Sequence, residues 1–175
     1  MKKLSFKVAF GGIASALCVV IMFSAALLPF MTYAFPMISG MLIYAVSYEC
    51  GTKIGLSAYA GVSALLLILS PEKESALMFA FFFGYYPIMS VYINRLKSKT
   101  LQWIIKLSVF NLSMVAAYFI LLHIFVAADS EEFTKYSLII LLVMGNLLLF
   151  IYDRMIKKLT QKYIKVYRKK LLRRK

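Results

Sequence analysis

Four polar side chains stand near the middle of long apolar runs: Tyr85 and Tyr86 in "FFFGYYPIM" (residues 81–89), Asn111, and Asn146. Hydroxyls and amides in hydrocarbon cost free energy unless they meet a partner or a cavity. Their chemistry is neutral hydrogen bonding, to a small molecule or to one another. Pro87 sharpens the first group, because it cannot donate to the carbonyl of Phe83 and its ring crowds that turn. Gly84, beside the freed carbonyl, lets a second backbone or a ligand come close. The pattern predicts a kinked helix lining a pocket made by Gly84, Tyr85, Tyr86, Asn111 and Asn146. The competing reading is plain interhelical hydrogen bonding, at about 0.6 kcal/mol each.

The elements that must position these groups follow from composition. The 175-residue chain is 62% hydrophobic and 16% charged, with a mean hydropathy of +0.81. A soluble domain holds about 45–50% apolar and about 25% charged residues. The apolar blocks show little polar periodicity, so an all-α polytopic membrane protein is expected, a bundle of about six transmembrane helices. Spans fall at roughly 8–28, 34–48, 54–70, 76–94, 101–126 and 136–152. The second and third are short, and Gly51 and Lys53 break the run between them. Without that break the count falls to four or five. On this map Asn111 and Asn146 lie at similar depth to the two tyrosines.

Charge gives the orientation. With the N-terminus inside, the inner side receives Lys2, Lys3, Lys7, Lys53, Arg95, Lys97, Lys99, Lys106 and the basic tail, leaving Lys73 and Lys135 outside. Glu72, Glu74, Asp129, Glu131 and Glu132 fall outside, and Glu49 and Asp153 inside. Both termini are therefore expected in the cytoplasm, with the chain in the cell membrane. The opening "MKKLSFKVAFGGIASALC" is read as a retained span, because Leu17 precedes Cys18 where a lipoprotein site needs a small residue.

Reactive side chains are sparse. Cys18 and Cys50 belong at different depths, which disfavours a disulfide, and the single histidine, His123, reads as structural or interfacial. No metal-ligand cluster, cofactor motif, phosphate-binding loop or nucleophile–base set is present in the sequence, so neither a metal, a cofactor nor enzymatic activity is expected.

Gly11 with Ser15, and Gly12 with Ala16, are two overlapping small-xxx-small pairs on the first helix. They serve either packing inside the bundle or docking onto a separate membrane partner. The outer loops "LLPFMTYAFP", with Pro29 and Pro36, and "SPEKES" are short and stiff; they either cap a cavity or simply turn the chain.

The tail divides from the bundle, giving a transmembrane unit over 1–152 and a basic cytoplasmic segment over 153–175. It holds eleven basic residues and one acid, with Ile156, Leu159, Tyr163, Val166 or Tyr167, and Leu171 recurring at helical steps. A basic amphipathic helix next to a span would lie on anionic lipid, each cation contributing about 1 kcal/mol. Its place after a span makes lipid a better partner than nucleic acid.

Six spans in a short chain, both ends inside, the small-residue motif of the first helix and the short loops after the first and third spans together resemble the substrate-binding S component of an energy-coupling factor transporter. The resemblance covers about residues 5–152. The family's first-helix alanine-x-x-x-alanine corresponds here to Gly12 and Ala16. It implies capture of a vitamin-like small molecule from outside by a non-enzymatic subunit, which works with a membrane coupling protein and two ATPases. Gly84, Tyr85, Tyr86, Asn111 and Asn146 would then face the cargo, and Gly11, Gly12, Ser15 and Ala16 the coupling partner. The alternative is a membrane scaffold or accessory subunit of a cell-envelope or division complex. A pocket lined by the polar side chains favours transport; a tightly packed bundle favours the scaffold. A lipid-modifying enzyme ranks third, for want of acidic or histidine groups.

Overall fold

The computed structural model describes residues 4–28, 31–120 and 131–162. His123, Asp129, Pro29, the end of the expected fifth span and the tail pattern from Tyr163 to Leu171 lie outside them. Among the described residues all regular structure is helical. It comprises α1 (Leu4–Phe23) with a 3-10 turn (Ser24–Ala26), α2 (Ala34–Cys50), α3 (Thr52–Leu69), α4 (Lys73–Met78), a π-helical segment (Phe79–Phe83), α5 (Tyr86–Ile93), α6 (Lys99–Ile120) and α7 (Glu131–Lys162). The α4, π and α5 segments continue one another, so these elements make six rods. Among the described residues four rods are long and apolar enough to cross a membrane: Leu4–Ala26, Thr52–Leu69, Lys73–Ile93 and Lys99–Ile120. The α2 helix, at 17 residues, is the short one.

Successive rods alternate in direction, and loop contacts mark the two ends. At the acidic end Tyr33 Oη donates to Glu74 Oε1 at 2.9 Å and Ser75 Oγ to the Thr32 carbonyl at 2.8 Å. At the basic end Thr52 Oγ1 and Tyr92 Oη are hydrogen-bonded at 3.0 Å, and Gln102 Nε2 donates to the Leu96 carbonyl at 2.7 Å.

The α2–α3 joint is a single residue. Gly51 stands at φ 105°, ψ 153°, a conformation essentially closed to other residues, and its N–H still donates to the Ser47 carbonyl at 3.0 Å. That is why two short helices occupy residues 34–69 instead of one long one.

The broken rod 73–93 is the axle of the bundle. In its apolar stretch 72% of residues are buried, against 22–28% in α1, α3 and α6. On one side Phe82, Phe83 and Tyr86 pack with Phe110 and Met114 of α6 and Leu149 and Tyr152 of α7. On another Phe79 and Ile88 pack with Cys18 and Met22 of α1, Ile43 of α2 and Leu66 of α3. The Phe82 and Phe110 rings meet edge to face at 4.8 Å between centroids, a favourable geometry for the ring quadrupoles.

The α7 helix passes the expected junction at 152/153 without a break, and Asp153 and Ile156 are buried. The packed bundle therefore continues into the segment assigned from sequence to the tail, because the first turn of that segment carries core contacts as well as charge.

Candidate functional site

The axle is broken where the sequence places Gly84 and Pro87. The Gly84 N–H reaches back five residues to the Phe79 carbonyl at 2.9 Å, which widens the turn into π geometry. Two carbonyls near the break find donors from other helices. Tyr59 of α3 donates its hydroxyl to the Ala80 carbonyl. Tyr152 of α7 points its hydroxyl at the carbonyl of Phe83, 3.1 Å away, and stands 3.3 Å from the Met37 carbonyl of α2. Gly40 makes this approach possible, since a Cβ there would overlap both the Phe83 carbonyl and the Tyr152 hydroxyl.

The five residues expected to line one pocket are placed as follows. Gly84 is covered by the Tyr59 ring, which a Cβ would strike. Tyr85 is half-buried and shares a hydrogen bond with Ser113 of α6 at 3.0 Å. Tyr86 is fully buried and donates to Asp153 Oδ1 at 3.0 Å. Asn111 and Asn146 do meet: Asn146 Nδ2 donates to Asn111 Oδ1 at 3.1 Å and also to the Leu142 carbonyl at 2.7 Å. Tyr85 and the asparagine pair thus tie the axle and α7 to α6, while Tyr86 turns toward the basic end. Each of the five makes contacts with a neighbouring helix, and Asn111 and Asn146 are the two that meet each other.

A charged cluster accompanies Tyr86. Lys106 Nζ of α6 lies 2.6 Å from Asp153 Oδ1 and donates to Asn94 Oδ1 at 2.8 Å, with the side chains of Lys106 and Asp153 1% and 2% exposed. Lys157 Nζ, one helical turn beyond Asp153, stands 2.7 Å from Oδ2 and is 46% exposed. The Trp103 ring lies 5.4 Å from Lys106 Nζ and 5.9 Å from Lys157 Nζ, inside cation–π range. Sequence reasoning missed this cluster by treating Lys106 as loop charge and Asp153 as tail. The signal was available: Lys106 falls inside the expected fifth span, where a cation needs a counter-charge.

The two small-residue pairs of α1 split between faces. Gly11 is buried within van der Waals reach of Ile54 and Val46, and Ser15 is half-buried. Gly12 and Ala16 are exposed, with open space around Gly12, and Ile13, Leu17 and Val20 extend that apolar face. At the acidic end, burial, the Glu74 carboxylate and its hydrogen bond hold the Tyr33 phenol well above its ordinary range. Burial and then Glu74 raise the Glu72 carboxyl.

A cavity of about 510 Å³ opens at the basic end between α2, the start of α3, α5 and α7. Its polar wall includes Ser47, Thr52, Tyr92, Asn94, Arg95 and Lys157, and none of the five residues above contributes. Among the described residues no three His, Cys, Asp or Glu side chains gather as a metal site would require. Compared with family models, curated proteins and solved structures, the chain matches none.

Proposed function

We propose that this chain is a six-span membrane protein with both termini cytoplasmic, acting as the non-enzymatic substrate-binding subunit for uptake of a vitamin-like small molecule. The observation that carries the reading is the discontinuity, at Phe79–Gly84 and Pro87, in the most buried of the four rods able to span a membrane. Membrane transporters bind cargo at such breaks, where backbone groups leave the helical ladder. Pro87 stands in the first turn of α5 and leaves the Phe83 carbonyl without its helical donor, so the break presents a backbone acceptor. Two features support the same reading. The loops around 31–33 and 70–75 are latched to each other by Tyr33–Glu74 and Ser75–Thr32, as a lid over an outward-facing site needs. The Gly12 and Ala16 face of α1 is open for close approach by a coupling protein. Cargo would enter under the latch and displace the hydroxyls of Tyr59 and Tyr152 from the break, and ATPase subunits would drive release.

One observation favours the scaffold reading. Tyr85, Tyr86, Asn111 and Asn146 each have a protein partner, as expected of side chains that only hold helices together. Purification from native membranes in mild detergent, with mass spectrometry of proteins and released small molecules, separates the two. Co-purifying ATPases and a coupling protein with a bound metabolite support transport. Envelope or division proteins without ATPase or metabolite support the scaffold.

A further inference from the structure

We propose that the cavity at the basic end is a binding site for a phosphate-bearing anion. Its volume of about 510 Å³ lies within the 300–1,000 Å³ span of small-ligand sites. Its wall is rich in donors: the Arg95 guanidinium, the Lys157 ammonium, the Asn94 amide, the Ser47 hydroxyl and the one hydroxyl proton that the Thr52–Tyr92 pair leaves unused. No carboxylate is among the described residues that line it. A phosphate ester carries only acceptors at its charged oxygens, so this wall complements it, whereas a cationic ligand would meet two like charges.

The buried cluster behind the cavity prepares it. Lys106 donates to Asn94 Oδ1, which leaves the Nδ2 donors of that amide for the cavity side. Asp153 engages Lys157 at Oδ2, fixing an ammonium whose side chain remains 46% exposed. An ammonium has three donors, so pairing with Asp153 leaves two for a ligand. Apolar Ile88 and Ile156 on the inner wall suit the carbon skeleton of the ester.

Two sources carry this chemistry: an anionic phospholipid headgroup and a soluble phosphate ester. The lipid source rests on the membrane reading above, which sets the basic end at the headgroups of the cytoplasmic leaflet; the anion site itself does not.

The test uses the full-length protein. In one arm, native mass spectrometry compares retention of phosphatidylglycerol and phosphatidylcholine. In the other, glycerol 3-phosphate is titrated into protein in phosphatidylcholine nanodiscs. Fluorescence of Trp103, the chain's single tryptophan and a neighbour of Lys157, reports binding. The expected result is saturable binding in at least one arm, weakened about tenfold by Arg95→Gln and two- to threefold by Thr52→Val. Lys97→Gln, an exposed cation of the same end outside the cavity, should leave binding within twofold. Arg95 is exposed, so its substitution spares the core. Binding confined to the lipid arm names a headgroup as the source, and binding in the soluble arm names a phosphate ester; both sustain the site. No saturation in either arm, or equal losses in Arg95→Gln and Lys97→Gln, overturns it. Neither result bears on cargo capture at the helix break, which the co-purification experiment reads separately.

Discussion

The Tyr152 hydroxyl meets the carbonyl of Phe83 at 3.1 Å across 69 positions of chain, and that carbonyl is the one Pro87 cannot serve. A residue late in the sequence thus repairs a defect written into the fourth rod. Tyr152→Phe should cost about 1–3 kcal/mol, the penalty of a buried carbonyl left without a donor. In a Pro87→Ala background, where residue 87 regains its N–H, the same substitution should cost less. Unfolding in mixed detergents measures both, and equal losses in the two backgrounds would remove the repair argument.

Gly40 and Gly12 should respond oppositely to alanine. Gly40→Ala drives a methyl into the Phe83 carbonyl and Tyr152, a backbone clash that repacking relieves only in part, at about 1–3 kcal/mol. Gly12→Ala meets open space and should be neutral or stabilising by up to about 1 kcal/mol. Thermal midpoints of the two variants side by side decide it.

Lys106 and Asp153 should behave as one unit. Lys106→Met alone removes the buried cation from the Asp153 carboxylate, which keeps Lys157 and Tyr86, and should destabilise by about 1.5–3 kcal/mol, whereas pairing it with Asp153→Leu should recover part of that loss. Tyr86→Phe removes one hydrogen bond to the same carboxylate, for about 1.5–3 kcal/mol. Additive losses in the double variant would refute the coupling.

The acidic-end latch should tighten on acidification. The folded-state pKa of Glu72 is raised, by burial and then by Glu74, so its stabilising contribution is fully present below its unfolded pKa. That contribution is lost as pH rises through the folded value. Because Glu72 is largely solvated, the change should stay below about 1 kcal/mol. Amide exchange at Thr32–Ala34 should slow as pH falls from neutral toward the carboxylate range, after correction for intrinsic exchange. Glu72→Gln should flatten the dependence.

If α1 docks a coupling protein, Gly12→Leu should abolish co-purification of that partner while leaving the unfolding free energy within about 0.5 kcal/mol of wild type. Retained co-purification would take the docking face away from α1.

Features set by a residue and its near neighbours were legible in the sequence. Gly51 marks the α2–α3 joint, Pro87 and Gly84 mark the break in the axle, and the apolar runs locate the rods. Partners separated by long stretches of chain were not legible. Nothing local to "FFFGYYPIM" says that its freed carbonyl is met from residue 152 or that Tyr86 turns to Asp153, because helix rotation about its axis decides which residues face each other. The asparagines illustrate the boundary: shared depth was readable, and mutual pairing, as opposed to facing a ligand, was not. The basic-end cavity has no motif at all, since its wall is gathered from α2, α3, α5, α7 and the turn after α5.

The adjacency of Tyr152 and Asp153 on α7 has a consequence for biosynthesis. A ribosome delivers Lys106 47 residues before Asp153 exists, and the Phe83 carbonyl 69 residues before Tyr152. Until α7 arrives, the nascent chain carries an ammonium without its counter-charge and an open backbone acceptor, both marks of an unfinished product. Translation arrested ahead of residue 152 therefore yields a species that still carries two polar groups the longer chain pairs, and the arrival of Tyr152 and Asp153 removes both marks in a single turn of helix.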